Sequence, residues 1–470
     1  MLKAIDDFVW GVPLIVLILA VGIFLTIRLR GLQITKLSLA IKHMLANEKN
    51  GEHGEVSSFG ALCTALSATI GTGNIVGVAT ALVAGGPGAL FWMWIAALLG
   101  TATKYSECLL AIKYRVVAKD GHIVGGPFYY IENGMGEKWK WLAKIFAFFG
   151  VGVGLLGIGT FTQINGITSA VNNFFDPQNT WTVELFGRTY SWTVVIAGII
   201  LTLCVALVII GGIKRISTVA QVVVPFMALL YVVVVLIVLF THLSAIPGAL
   251  VEIVQSAFGL RAAAGGTLGS ILIAMQMGIA RGIFSNEAGL GSSPIVAAAA
   301  KTNSGVRQGL LSMTSVFVTT ILTCSMTGLV IISSGLMDSS DMNGSTLVTA
   351  AYNMCLPHNI GMYLIAVGIM FFAFTTILGW NYYGERCLVY LTGTTKWIKP
   401  YKIIYIAAIA LAPFLSLEPI WLLADITNAL MIIPNLIAII ALRKVIIGET
   451  KLYFSKRNEE KMSAAVKAVK

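Results

Sequence analysis

The sequence predicts an all-α membrane protein of eleven transmembrane helices. One extra N-terminal helix is followed by a 5+5 inverted repeat, with the N-terminus outside and the C-terminus inside. Three observations lead there: an apolar composition, eleven apolar stretches of membrane-crossing length, and a one-sided placement of Lys and Arg. Hydrophobic residues make up 57 % of the 470, charged residues 11 %, and the mean hydropathy is +0.86. A soluble domain carries about 25 % charge, so this chain lacks the polar surface to dissolve in water. The same composition excludes disorder, collagen and small disulfide scaffolds. The net charge of +11 follows membrane topology and is not a nucleic-acid footprint.

Crossing a hydrocarbon core of roughly 30 Å takes about 20 helical residues. Stretches of that kind fall at 8–27, 58–84, 86–112, 141–173, 191–211, 217–241, 267–298, 309–335, 359–391, 401–416 and 420–441. The first is too long for the apolar region of a cleavable signal and lacks a small-residue cleavage site, so it reads as a retained span. With the N-terminus outside, the inner connections, the inward portions of the spans beside them and the tail hold 28 of the 32 Lys and Arg. Only Lys3, Arg188 and Arg261 fall outside, and Arg281 lies within a span. The positive-inside rule accounts for that asymmetry, and adding or losing one span would invert it downstream. The chain divides into 1–57, a first five-helix repeat at 58–241, an outer loop at 242–266, a second repeat at 267–441 and a cytoplasmic tail at 442–470. Within the connections, 33–47 has helical apolar spacing with interleaved Lys, which suggests an interfacial helix. Residues 345–356, stopped by Pro357, suggest a short outer helix.

The six cysteines include no CxxC, and most lie in apolar spans, where Cys behaves as a small hydrophobe. The five histidines fall in connections or at span edges, which argues against a metal site within the membrane.

Two spans make poor continuous helices. The second contains Ser67-Ala68-Thr69-Ile70-Gly71-Thr72-Gly73-Asn74, and the seventh runs from Gly278 through Arg281, Gly282, Ser285, Asn286 and Glu287 to Gly289. Glycine costs about 1 kcal/mol against alanine inside a helix, and Ser, Thr and Asn compete for its backbone hydrogen bonds. In lipid, freed backbone groups are tolerated only against protein or a cavity. Each break opens a run of five spans, and five is odd, so the two runs enter the membrane in opposite directions. That is the inverted repeat of secondary transporters, with substrate held where broken helices meet. The competing reading is small-residue helix packing, which Gly73 and Gly77 would also serve.

The breaks offer two kinds of pole. Half-helix N-termini carry roughly half a positive charge, so amides at Gly71, Thr72, Gly73 and Asn74 suit a carboxylate. Half-helix C-termini expose carbonyls that suit an ammonium group or Na+, so the pair of poles suits a zwitterion. Candidate walls are Phe161, Met275, Ile279, Phe284, Phe374 and Trp380, each of which would equally serve as plain core. Gln163 on the fourth span adds a mid-membrane polar group. Thr375 and Thr376 on the ninth supply two hydroxyl oxygens for a hard cation. Arg281 and Glu287 flank the second break as counter-charges to each other or to a gate. The first break has no carboxylate, which favours Na+ over a proton there.

The strings SATIGTGNIVGVATAL (67–82), GGPGALFWMWIAALLGTATKYSE (85–107), GGPFYYIENG (125–134) and GIARGIFSNEAGLGSSPI (278–295) resemble the alanine or glycine:cation symporter family, over nearly the whole chain. The resemblance implies a LeuT-type fold in the cell membrane and Na+-coupled uptake of alanine or glycine. It implies no cofactor apart from Na+ as coupling ion. The expected partners are the amino acid, Na+ and membrane lipid, with no nucleic acid. The implied substrate residues are Thr69, Gly71, Thr72, Gly73 and Asn74, with Phe161, Gln163 and Trp380. An unwound stretch from Met275 to Phe284 is expected to add carbonyls and wall through Gly278, Ile279 and Gly282. The implied Na+ site uses oxygens near Ser67 and Ile70 with the Thr375 and Thr376 hydroxyls.

Rival functions fare worse. Gly152-Val153-Gly154-Leu155-Leu156-Gly157 fits GxGxxG but lies in an apolar span with no strand before it, so it reads as helix packing. The chain has no Walker A, HExxH or GxSxG motif to make it an ATPase or an intramembrane enzyme, and no acidic pore lining to make it a channel. The alternative within reach is a LeuT-fold transporter with proton coupling or a different substrate.

Overall fold

The computed structural model describes residues 2–45, 54–118, 121–157, 159–185, 187–259, 267–338, 344–356, 360–415 and 417–469. Helices dominate them. The N-terminal crossing is α1 (Leu2–Val9) and α2 (Val12–Arg28), jointed at Gly11 ahead of Pro13. Next come α3 (Leu32–Thr35) and α4 (Leu37–Leu45), where a single helix over 33–47 is expected. Lys36, at φ −117°, leaves the helical range and splits it.

The second crossing is broken as the Gly-rich string requires, into α5 (Ser58–Thr69) and α6 (Val76–Gly85). Then follow α7 (Gly88–Lys113), a hairpin of β1 (Val116–Val117) and β2 (Ile123–Val124), α8 (Pro127–Tyr129), α9 (Lys140–Leu156) and α10 (Phe161–Phe175). The fourth crossing is therefore also interrupted, where the sequence reading has one helix over 141–173. Thr160 donates its hydroxyl to Leu155 O at 2.8 Å, and the Tyr405 hydroxyl reaches Gly159 O at 2.7 Å. These bonds satisfy backbone that the glycines free, which apolar patterning cannot signal. Gly154 faces Tyr401 and Gly157 faces Ala424, so the GxGxxG stretch serves close packing.

A second hairpin, β3 (Thr182–Leu185) and β4 (Arg188–Ser191), leads into α11 (Trp192–Ile209) and α12 (Gly212–Thr241). The expected outer loop at 242–266 contains a helix, α13 (Ile246–Ala257). Beyond it run α14 (Thr267–Asn286), α15 (Ser293–Ala297), α16 (Gly305–Val316) and α17 (Ser325–Ser333), the last two joined by a π-helical stretch, Phe317–Cys324. The short helix expected at 345–356 is present as α18 (Gly344–Cys355), although its expected stop, Pro357, lies outside the described residues. The chain ends in α19 (Ile360–Thr392), α20 (Ile398–Leu411), α21 (Leu417–Ala441) and α22 (Arg443–Val469).

Nine helices among the described residues are long and apolar enough to cross a membrane. Of the other two expected crossings, 58–84 is divided into α5 and α6, and 267–298 into the 20-residue α14 and the short α15. The outer helices show lipid-compatible faces, with Ile199, Ile200 and Leu203 on α11 and Phe226 and Leu229 on α12 exposed. Pairing is orderly: α7 packs on α14 and α16, α9 and α10 on α19, and α11 on α20. At the ends of the two broken crossings, Lys301 N donates to Val56 O at 2.8 Å. Arg115 donates to Ala298 O, Ala300 O and Thr302 O at 2.7–3.1 Å, fixing the chain after α15.

Candidate functional site

α5 ends because Ile70 and Gly71 adopt extended backbone (ψ 93° and −160°) before a 3-10 turn at Thr72–Asn74. Gly71 is required by proximity. A Cβ there would stand 2.6 Å from Thr376 Oγ1 and 3.2 Å from Gln163 Oε1. The freed amides find side-chain acceptors. Gly71 N donates to Asn74 Oδ1 at 2.9 Å, and Thr72 N to Gln163 Oε1 at 3.2 Å. Asn74 also ties this turn to the far side of the site. Its Nδ2 donates to Ser285 Oγ at 2.7 Å and Thr319 O at 3.1 Å, while its own carbonyl accepts from Thr327 Oγ1 at 2.9 Å. A Cβ on Gly73 would meet the Phe284 ring at 2.7 Å. The first break thus abuts the last turn of α14.

Oxygens converge beside it. Thr376 Oγ1 lies 3.3 Å from Ile70 O and also donates to Phe372 O at 2.9 Å. Thr375 points elsewhere, to Phe372 O and the Met227 thioether at 3.1 and 3.6 Å. The Ser67 hydroxyl turns back onto Thr64 O at 2.7 Å.

The second break lies later than the sequence reading puts it. α14 winds without interruption through Met275–Phe284 and stops at Asn286. Backbone of the left-handed kind at Glu287, Gly289 and Gly291 (φ 54°, 86° and 80°) then carries the chain to α15. For Glu287, a non-glycine, that conformation costs on the order of 1 kcal/mol or more and needs surrounding support. Lys104 of α7 supplies it. Its ammonium donates to Asn286 O and Glu287 O at 3.0 and 3.4 Å, and to Ser293 Oγ. A cation at a helix C-terminus is favourable because freed carbonyls and the dipole both point at it. The Glu287 carboxylate accepts from Trp380 Nε1 at 2.9 Å and from Ser292.

Arg281 does not pair with Glu287. It forks onto Asp425 of α21 at 3.1 and 2.9 Å, beneath Trp10, whose indole donates to Asp425 O at 3.1 Å. The guanidinium lies 5.8 Å from the Phe284 ring centre and 6.0 Å from that of Trp421. One turn separates Arg281 from Ser285, so this ion pair and its aromatic layer sit directly beside the first break.

The profile of the sodium:alanine symporter family matches residues 1–467. The chain belongs to that family. Over 456 residues it is 53 % identical to an uncharacterized transporter of Haemophilus influenzae, covering 97 % of this chain and 96 % of that one. It is 42 % identical over 472 residues to the sodium/alanine symporter AgcS of Methanococcus maripaludis, with 99 % of each chain covered. It is 36 % identical over 452 residues to a probable sodium/glutamine symporter, GlnT, of Bacillus subtilis, covering 95 % of this chain and 89 % of that one. This is a multi-pass membrane transporter, not an enzyme.

Within this symporter-family member, the structure gathers Ile70, Gly71, Thr72, Gly73, Asn74, Gln163, Phe284 and Thr376 at one centre. Thr69 stays in the last turn of α5, its hydroxyl on Ala65 O. Phe161 is buried at the start of α10 and Ile279 within α14. Gly278 and Gly282 turn to α7 instead. A Cβ on Gly278 would stand 2.3 Å from Ala89 O, and one on Gly282 3.5 Å from Met93. They let α14 and α7 approach, and the carbonyls expected free between Met275 and Phe284 belong to the helix. Trp380 serves the second break, and Phe374 lines an apolar cleft against α10 and α11. Lys104 and Asp425 are the residues whose roles sequence reading missed. Their signal is charge inside an apolar span, which marks function without naming a partner.

Proposed function

We propose that the chain is a Na+-coupled symporter that carries a small neutral amino acid, alanine or glycine, into the cell by alternating access. The observation that carries this reading is the Gly71–Asn74 turn, whose Gly71 and Thr72 amides are held by Asn74 Oδ1 and Gln163 Oε1 and whose preceding carbonyl faces Thr376. Gln163 Oε1 occupies on Thr72 N–H the place of a carboxylate oxygen, so substrate enters as Gln163 moves aside. The last carbonyls of α5, from Ser67 to Ile70, have no helical partner and serve the ammonium group and Na+, with Thr376 as hydroxyl ligand. The closeness of Gly73 to Phe284 restricts the space beside the turn, which favours alanine or glycine over glutamine.

The architecture we infer is one helix plus two five-helix repeats of opposite direction, eleven crossings in all, of the LeuT type, with N outside and C inside. Repeat boundaries at 58–241 and 267–441 make α7 equivalent to α16–α17, α9–α10 to α19, and α11 to α20. Those pairs pack on each other, which supports a two-fold axis in the membrane plane passing close to them. The Arg281–Asp425 pair then lies on the outer side and closes the site from outside. Replacing Arg281 with Lys keeps the charge but loses the fork. Uptake is expected to fall about tenfold, one charge-assisted hydrogen bond's worth, while equilibrium alanine affinity changes less. Uptake and binding assays side by side check this.

Thr376→Val keeps the shape and removes one oxygen. The Na+ concentration for half-maximal uptake should rise about tenfold, a hydrogen bond's worth of ligation, and an unchanged Na+ dependence would place the ion elsewhere. The proposal as a whole is tested by radiolabelled alanine in proteoliposomes. Accumulation should require an inward Na+ gradient, and accumulation unaltered when K+ replaces Na+ refutes the coupling.

A further inference from the structure

The clamp on the second break holds an unbalanced charge. Lys104, Glu107 and Glu287 are each 0 % exposed, and together they carry one positive and two negative formal charges. Unmatched charge in a dry interior is removed by taking up a counter-ion or by neutralising the group. The hydrogen bonds say which group. Both Glu287 oxygens have donors, in Trp380 and Ser292. Glu107 accepts from Asn435 Nδ2 at 2.8 Å on Oε2 and faces the Gly289 backbone amide, but its Oε1 is buried with no partner. Gly289 O can only accept, which orients the Asn435 amide. Its Oδ1 accepts the Tyr130 hydroxyl, and its Nδ2 also serves Gly289 O at 2.8 Å.

We propose that Glu107 is a proton-binding site, its carboxyl carrying a proton on Oε1 at neutral pH. The neutral acid leaves Lys104 to balance Glu287 alone. The clamp that fixes the break, Lys104 on Asn286 O and Glu287 O and Asn435 on Gly289 O, is thereby free of net charge. The groups facing Glu107 from its surroundings are Lys104 and Cys108 on α7, Glu287 in the break, Tyr130 after α8 and Asn435 on α21. Tyr383 of α19 faces Glu287 from the other side. None besides Lys104 is a cation. Stripping the proton at high pH sets two carboxylates against one ammonium, so the break is gripped less firmly as pH rises.

Infrared spectroscopy of the purified full-length protein in Na+ buffer at neutral pH tests this without reference to any substrate. The wild type should show the carbonyl stretch of a protonated carboxylic acid, moved to lower frequency by 13C-glutamate labelling. Glu107→Gln, the isostere of the neutral acid, should remove that band. No such band in the wild type overturns the proposal whether or not the variant folds, and would mean that a metal cation balances the charge. A band that persists in a folded Glu107→Gln protein overturns it equally. In proteoliposomes at raised pH, wild-type uptake should fall while Glu107→Gln uptake stays flat. An equal fall in both contradicts the proposal, and an infrared band without any uptake would fault the transport reading alone.

Discussion

Replacing Gly71 with Val is expected to abolish Na+-dependent alanine uptake. The new Cβ would stand 2.6 Å from Thr376 Oγ1 and 3.2 Å from Gln163 Oε1, pressing at once on the proposed ion ligand and on the group covering the Thr72 amide. Overpacking of this kind costs about 3 kcal/mol at the upper end, and at ~1.4 kcal/mol per tenfold that is about a hundredfold in affinity. Gly77, a few residues on, has open space around its Cα, so Gly77→Ala serves as the control in the same binding and uptake assays. Equal behaviour of the two variants would mean that the turn is packing and not site.

The second large effect concerns Lys104. Lys104→Met fills a similar volume but strands the Glu287 carboxylate and leaves Asn286 O and Glu287 O without their donor. Removing one partner of a buried charge pair costs about 3–5 kcal/mol. The melting temperature in detergent should drop sharply and uptake should be lost. Adding Glu287→Gln to Lys104→Met removes the stranded charge and should recover much of the melting temperature. Two separate losses that simply add would show that the residues do not act as a pair.

Nine of the long apolar helices were legible because a membrane imposes a strong constraint on sequence, apolar length. The first break was legible because Gly71, Thr72, Gly73 and Asn74 crowd four poor helix formers into one turn. The second was located about two turns early. Gly278 and Gly282 look like breakers but provide contact with α7, and the chain unwinds only where Gly289 and Gly291 take positive φ beside Glu287. Composition does not distinguish a glycine that allows close approach from one that allows a left-handed turn. The break in the fourth crossing was missed because Gly157, Gly159 and Thr160 sit within a stretch long and apolar enough to read as one span, and its backbone partner, Tyr405, lies far along the chain. Partners were the least legible feature. Arg281 and Glu287 are six residues apart, yet each looks to another helix, Arg281 forking onto Asp425 of α21 and Glu287 lying in the field of Lys104 of α7, whose ammonium bonds its backbone carbonyl.

Ion and amino acid are proposed to share one broken helix, α5 offering its last carbonyls and the next turn its amides. Each should therefore strengthen the other by the same factor, since coupling between two binding sites is reciprocal. Equilibrium titration of the purified transporter measures this directly, with alanine at several Na+ concentrations and Na+ at several alanine concentrations. The account predicts matching factors in the two directions, both lost in Gly71→Val. Alanine affinity that is the same in Na+ and in K+ would contradict it.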